Sequence, residues 1–167
     1  TVGTGFAMYP SPFHTNDATN YGSVLVDSAN EKCAFVFQVP SGGTIQKVHF
    51  RTATVNTGAQ MDVRLETVSL TTGDPSGTLL QDSSNLLYTI NDVDDNVWHT
   101  VTLGSGTIVT VGTTVAVVIA MPATSAGSLN IASVISASGF TGFPFVDQFT
   151  NAWTKSSGEG AVVAVEY

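Results

Sequence analysis

The segment from residue 44 to residue 70 alternates polar and apolar side chains through two runs that a short connector separates. A period of two puts neighbouring side chains on opposite faces, and this pattern is typical of half-buried β-strands. The connector, residues 56–60, contains a glycine and predicts an antiparallel hairpin. The apolar positions, which we expect to face a core, are Val48, Phe50, Met61, Val63 and Leu65.

The register of this hairpin predicts a use for its charges. If the turn centres near Thr57, Lys47 lies opposite Glu66 and Arg51 lies opposite Asp62. An opposite-charge pair on one face of a sheet contributes roughly a few tenths of a kcal/mol. We therefore expect the hairpin to be scaffold, with any binding surface elsewhere in the molecule.

Strand-like runs recur along the chain at intervals of roughly 8 to 15 residues, with turn residues between them. This spacing predicts an all-β fold, a two-sheet antiparallel β-sandwich of jelly-roll or Greek-key type. The sandwich would span residues 31–167, preceded by an irregular N-terminal arm, 1–30, with a short strand near 24–26. The other predicted strands cover 31–39, 78–81, 86–90, 97–103, 108–111, 115–121, 129–135 and 161–167.

Composition narrows the class of protein. The net charge is −8 with only five lysines and arginines, so a basic surface for nucleic acid or anionic membrane is not expected. The longest apolar run, 115–121, is too short to insert into a bilayer. Cys33, the single cysteine, alternates with Phe35 and Phe37 and is predicted to be a buried apolar residue. Only 11% of residues are charged, which favours an extracellular or virion-surface location.

Aromatic residues suggest a sugar-binding site. Sugars are held by exposed rings that cover their C–H faces and by polar groups that bond their hydroxyls. The segment 140–153 is predicted to be a long aromatic loop; core packing and a subunit interface are the alternatives for it. The candidate ligand-binding residues are Trp153, Phe143, Phe145, Asp147, Trp98 and Tyr88.

The one acidic loop, 91–96, suggests a calcium site. Calcium takes six to eight oxygen ligands, often from alternating aspartate and asparagine side chains. The alternative is a solvated acidic turn, since the loop lacks the glycine and the glutamate of an EF-hand. The candidate ligands are Asp92, Asp94, Asp95 and Asn96.

Catalysis has little support in the sequence. The three histidines, His14, His49 and His99, stand far apart and form neither a metal-binding nor a triad motif. We therefore predict a protein that is not an enzyme.

Three segments carry a family resemblance: 44–80, 94–103 and 107–121. Together they resemble a jelly-roll module of phage virion and tail-fibre proteins and of bacterial surface or carbohydrate-binding proteins, although Val115 stands where an aromatic is common. The matching residues are Gly73, Pro75, Gly77, Thr78 and Leu79 in a turn, Trp98, Val101 and Leu103 in a strand, and Gly112, Thr113, Ala116, Val117, Val118 and Ile119 in another.

This resemblance implies a non-enzymatic structural or attachment module of a virion or extracellular fibre. Such a module would form a homo-oligomer or contact other fibre subunits, and it would bind cell-surface glycans. Two alternatives remain open. One is a carbohydrate-binding module of a secreted enzyme or adhesin, and the other is a self-assembling filament subunit whose contacts come from residues 1–12 or 140–153.

Overall fold

The chain folds into two antiparallel β-sheets that pack face to face, as a computed structural model shows. The predicted all-β sandwich is therefore confirmed. Among the described residues, no helix is long and apolar enough to cross a membrane. The structure describes residues 6–9, 21–40, 42–80, 86–91, 93–123, 125, 127–135, 145–155, 159–161 and 163–167.

The described strands divide equally between the sheets. In chain order they are β1 (Phe6–Tyr9), β2 (Tyr21–Val26), β3 (Lys32–Gln38), β4 (Gly43–Thr57), β5 (Ala59–Val68), β6 (Pro75–Leu79), β7 (Leu86–Ile90), β8 (Trp98–Val109), β9 (Thr114–Ala120), β10 (Ser128–Ile135), β11 (Phe145–Phe149), β12 (Trp153–Lys155), β13 (Glu159–Ala161) and β14 (Val163–Glu166). The first sheet contains β1, β2, β4, β8, β10, β13 and β14, and the second contains the other seven.

The core lies between the sheets and follows the alternation of the sequence. Phe50 of β4 in the first sheet and Phe35, Phe37 and Leu65 of the second sheet are completely buried. Burial of each such side chain contributes about 1.5–3 kcal/mol. β9 lies between β3 and β5 and is buried on both faces, as its unbroken apolar run predicts.

The predicted hairpin at 44–70 is wrong. β4 pairs with β8, β10 and β14 in the first sheet, whereas β5 pairs with β6, β7 and β9 in the second. Gly58 is the only residue between β4 and β5, so the chain crosses from one sheet to the other there. Alternation defines the apolar face of each strand, but it is the same in a hairpin and in a connection between facing sheets.

The charge pairs that depended on this hairpin are wrong for the same reason. Lys47 pairs with Glu166 of β14, and Glu66 pairs with Arg64 of its own strand. Arg51 lies opposite Trp98 of β8. The charges on β4 and β5 therefore lie on the outer faces of different sheets.

Two segments are more regular than the sequence predicts. β1 lies within the predicted irregular arm, and β2 extends the short strand predicted near 24–26; the two strands pair with β14 and β10 of the first sheet. The predicted aromatic loop 140–153 contains β11 and the start of β12, which form a hairpin with Phe149 opposite Trp153. β11 also pairs with β3, so this hairpin extends the second sheet at its edge.

Candidate ligand-binding face

The outer face of the first sheet collects cationic and hydroxyl side chains beside an exposed tryptophan. The apolar residues of β4 point inward, which leaves its lysine, histidine and arginine on the outer face. Antiparallel pairing with β8 and β14 brings the other members into the same rows. We call this surface the Trp98 face; it consists of Lys47, His49, Arg51, Trp98, Thr100, Thr102 and Glu166.

One side of the Trp98 face is held together by Glu166. Lys47 Nζ lies 2.7 Å from Glu166 Oε1, and His49 Nε2 lies 3.5 Å from Glu166 Oε2. The hydrogen bond from Lys47, helped by the nearby charges, lowers the pKa of Glu166 below its ordinary value. His49 Nδ1 lies 2.9 Å from Thr100 Oγ1, which ties β4 to β8. These contacts fix Lys47 and His49 in place.

Arg51 has a different environment. Its Nε and Nη2 approach the carbonyl oxygen and Oδ1 of Asn96 at 3.4 and 3.5 Å, which is long for hydrogen bonds. No carboxylate of the described residues lies within ion-pairing distance of this guanidinium. Trp98, directly opposite Arg51 on β8, is 45% exposed. The exposed ring and the guanidinium are therefore neighbours on an open surface.

The backbone at Asn96 positions this corner of the Trp98 face. Asn96 has φ of +56°, a left-handed conformation that asparagine tolerates better than most residues. Its N–H donates to the carbonyl of Ala53 at 3.1 Å and holds the loop against β4. The Asn96 carbonyl and amide consequently face Arg51.

Tyr88, a predicted ligand-binding residue, lies on the other side of β8 from Trp98. His99 follows Trp98 and points inward, where it stacks on Phe50 with ring centres 5.2 Å apart. Tyr88 approaches the His99 ring edge-on at 5.7 Å. Burial raises the pKa of Tyr88, with a smaller contribution from the charge of Asp94. Tyr88 is therefore a packing residue at the sheet corner and does not share a surface with Trp98.

Trp153 lies on the outer face of the second sheet. Its ring centre is 5.2 Å from that of Phe149, and the two rings are tilted by 59°. The half-buried indole also packs on a cluster that we call the small-residue patch: Ala34, Val36, Ala116, Val118 and Ala120. Trp153 is therefore a structural side chain at least in part.

Two of the remaining aromatic-segment candidates, Phe145 and Asp147, lie on β11, the strand that pairs with β12 and therefore with the strand of Trp153. Phe145 and Asp147 of β11 are in register with Val36 and Ala34 of β3, and Asp147 is also in register with Lys155 of β12. Phe143 and the side chains of Phe145 and Asp147 lie outside the described part of the structure. Trp98 is in the other sheet, so the six candidates do not form one site.

The described carboxylates of the acidic loop bind backbone N–H groups. Asp94 Oδ2 accepts from the N–H of Asn91 at 2.8 Å, and Asp95 Oδ1 accepts from that of Val55 at 2.6 Å. These bonds fasten the loop to itself and to β4. Within the described residues, no group of three or more histidine, cysteine or acidic side chains is placed to hold a metal ion. Asp92 lies outside them, and the calcium site stays a prediction.

One end of the sandwich exposes large apolar side chains. Leu70 is fully exposed, and Ile108 and Val111 are 65% and 67% exposed. We call these three residues the apolar end. Leu70 also lines a groove of about 490 Å³, together with Gly112, the residue after Val111. The groove therefore links Leu70 to the turn next to Val111.

The sequence signal for the Trp98 face lies in the polar positions of β4, but alternation predicts a different use for them. It places Lys47 and Arg51 opposite Glu66 and Asp62, because it predicts that β4 and β5 form a hairpin. The alternating threonines after Trp98 predict a β-strand whose outer face is polar, but no sequence feature joins that strand to β4. Comparisons with protein-family models, with curated proteins and with solved structures find no match for this chain.

Proposed function

We propose that this chain is a non-enzymatic structural and attachment module of a virion or extracellular fibre, which self-associates and binds cell-surface glycans. The observation that carries the proposal is the apolar end, where Leu70, Ile108 and Val111 are exposed to solvent and Leu70 lines a groove. Contiguous exposed apolar side chains mark contact surfaces more often than free surfaces. The resemblance of residues 44–80, 94–103 and 107–121 to fibre and virion modules supports the same function.

Charge also favours the apolar end as the place of self-association. Each copy has a net charge of −8, so two copies repel each other over most of their surfaces. The turn 108–113, which supplies Ile108 and Val111, contains no charged residue. A second copy can therefore bury these side chains without burying an unpaired charge, and each would contribute about 1.5–3 kcal/mol.

Sedimentation velocity and light scattering test self-association. We expect the unmodified protein to form an oligomer, and the double variant Leu70→Lys with Val111→Lys to sediment as a monomer. Val93→Lys is the matched control, since Val93 is 80% exposed but lies in the loop at the opposite end of β4. A dilute, strictly monomeric unmodified protein contradicts the proposal. An open-ended polymer in place of a closed oligomer favours the filament-subunit alternative. A contact between two different surfaces can repeat from copy to copy without closing, and this repetition forms a filament.

The second candidate function is a carbohydrate-binding module of a secreted enzyme or adhesin. The exposed ring of Trp98 beside Arg51 favours this second function. An aromatic ring can cover the C–H face of a sugar, and a guanidinium group can hydrogen-bond its oxygen atoms. A glycan array compares the unmodified protein with Trp98→Ala and Trp153→Ala. We expect Trp98→Ala to weaken binding and Trp153→Ala to leave it unchanged. Binding that survives this change and is lost in Trp153→Ala places the site on the second sheet.

A further inference from the structure

Arg51 is an exception among the cations of this acidic protein. The chain has five lysines and arginines, and the structure describes all of them. Four have an anionic or aromatic partner: Lys47 with Glu166, Arg64 with Glu66, Lys155 with Asp74, and Lys32 over the ring of Phe149. Among the described residues, the polar contacts of the Arg51 side chain are the two long ones with Asn96. Its guanidinium therefore has donors for another molecule.

The surroundings of Arg51 limit what that molecule can be. Arg51 and Trp98 are opposite residues of an antiparallel pair, so their Cβ atoms are about 5 Å apart. This separation matches one pyranose ring that lies on the indole with a substituent at the guanidinium. Arginine presents parallel N–H groups that bind planar or tetrahedral oxyanions in pairs. The pair is therefore complementary to a sugar that carries an anionic group.

The acidic side chains that the structure describes near Arg51 do not neutralise its charge by direct contact. Asp94 and Asp95 in the adjoining loop use carboxylate oxygens to accept backbone N–H bonds from Asn91 and Val55. Glu166, the one acid of the Trp98 face, is held by Lys47 at the far end of the row.

The rest of the Trp98 face extends the site along β4. Arg51 and Lys47 are four residues apart, which is about 13 Å along a strand and accommodates more than one sugar unit. Thr102 and Lys47 are opposite each other at the far end of this row, and Thr102 is exposed. A hydroxyl and an ammonium group there can bond the hydroxyls of a second unit.

We propose that the Trp98 face binds an anionic saccharide, with the sugar ring on Trp98 and its carboxylate or sulfate on Arg51. The proposal rests on the glycan-binding part of the proposed function and names the class of glycan. The group that Arg51 would recognise is an oxyanion attached to a pyranose ring. Two classes of sugar carry such a group: carboxylated sugars and sulfated sugars.

Isothermal titration calorimetry with matched saccharides tests the ligand class. The probes are an oligogalacturonate, the same oligosaccharide with its carboxylates reduced to hydroxymethyl groups, and a sulfated oligosaccharide of similar length. We expect at least one anionic probe to bind about 10- to 100-fold more tightly than the reduced one, since hydrogen bonds to charged groups are the strong ones. Whichever of the two anionic probes binds more tightly shows whether the site prefers carboxylated or sulfated sugars.

Variants assign the preference to residues. We expect Arg51→Gln to remove the difference between anionic and reduced probes and Trp98→Ala to weaken both. Lys32→Gln, which removes the same charge from the second sheet, should leave the preference unchanged. Arg51→Lys keeps the positive charge but lacks the paired N–H groups of the guanidinium. This variant should retain only part of the preference for the anionic probes. Thermal unfolding of each variant verifies that it folds.

The outcomes separate this inference from the function on which it rests. Equal affinity for the anionic and reduced probes overturns the anionic preference while leaving glycan binding intact. A preference that persists in Arg51→Gln overturns the assignment to Arg51. If none of the three saccharides binds and a broad glycan array is also negative, the glycan-binding function fails together with the inference.

Discussion

Arg64 and Glu66, two residues apart on the outer face of β5, form an ion pair in which Nε lies 2.7 Å from Oε1. The Glu66 side chain is fully buried, and its Oε2 accepts a hydrogen bond from the N–H of Gly77 at 2.8 Å. Gly77 belongs to β6, so the β5–β6 hairpin covers this carboxylate. The pair therefore connects the sheet to the hairpin that lies against it.

Removal of Glu66 should destabilise the fold strongly. Glu66→Ala leaves the guanidinium of Arg64 partly buried without its partner, and the loss of one member of a buried ion pair costs about 3–5 kcal/mol. Urea unfolding measures the change in free energy. The double variant Glu66→Leu with Arg64→Met is the control, since an apolar replacement of both partners should recover most of the loss. A loss below about 1 kcal/mol in Glu66→Ala contradicts a structural role for the pair.

The two tryptophans should respond differently to truncation. Trp153→Ala removes a half-buried ring from Phe149 and the small-residue patch, and we expect the free energy of unfolding to fall by about 2 kcal/mol. Trp98 is largely on the surface, so Trp98→Ala should change it by less than about 0.5 kcal/mol. Chemical denaturation of both variants tests this difference. Equal losses would mean that Trp98 is a packing residue too.

His99 should make stability depend on pH. Burial lowers the pKa of His99, and the charge of Asp94 offsets this only in part. Below the ordinary histidine pKa of about 6.5, the unfolded chain binds more protons than the folded protein, so stability falls as pH decreases. The slope contributed by one such group is at most about 1.4 kcal/mol per pH unit.

Unfolding free energies at pH 7.5, 6.5 and 5.5 measure the effect of His99. We expect His99→Gln to have a shallower slope over this range than the unmodified protein. The same slope in both proteins would assign the pH dependence to other groups.

Lys155 should contribute modestly to the covering of the second sheet. Its Nζ donates to the carbonyl of Thr72 at 2.6 Å and lies 3.3 Å from Asp74 Oδ1, which joins β12 to the turn after β5. The side chain is partly exposed, so Lys155→Met should cost about 1 kcal/mol or less. Hydrogen exchange of the small-residue patch amides gives a second measurement, and we expect faster exchange at Ala116 and Val118. Unchanged exchange would show that this bridge is not required to cover the patch.

The sequence predicts the central strands well because their apolar residues either alternate or form an unbroken run. Alternation identifies the inward residues of β3 and β4, and an unbroken apolar run identifies β9 as a covered strand. The pairing partners are not predictable in this way. One residue, Gly58, connects β4 to β5. Whether the chain turns within a sheet or crosses to the facing sheet depends on backbone geometry that an alternating pattern does not encode.

The candidate site was predictable only in part for the same physical reason. The residue type of Trp98 marks it as a candidate, but its neighbour Arg51 lies on β4, for which the sequence predicts a hairpin with β5. Strands that are distant in sequence bring these two residues together, so their proximity follows from the register of β4 with β8. The aromatic residues near Trp153 in the sequence mark it as a candidate, and the structure adds that its ring packs on the small-residue patch.

The pairing of the first sheet has a consequence for the order of events during translation. β4 pairs with β8, β10 and β14, and β1 pairs with β14, so this sheet joins segments from both ends of the sequence. The second sheet contains the local hairpins β5–β6 and β11–β12, which close short loops at low entropic cost. While the ribosome is still adding residues, the edge of β4 that pairs with β14 has no partner strand. The nascent chain must therefore keep this open edge from pairing with other chains until residues 163–166 leave the exit tunnel.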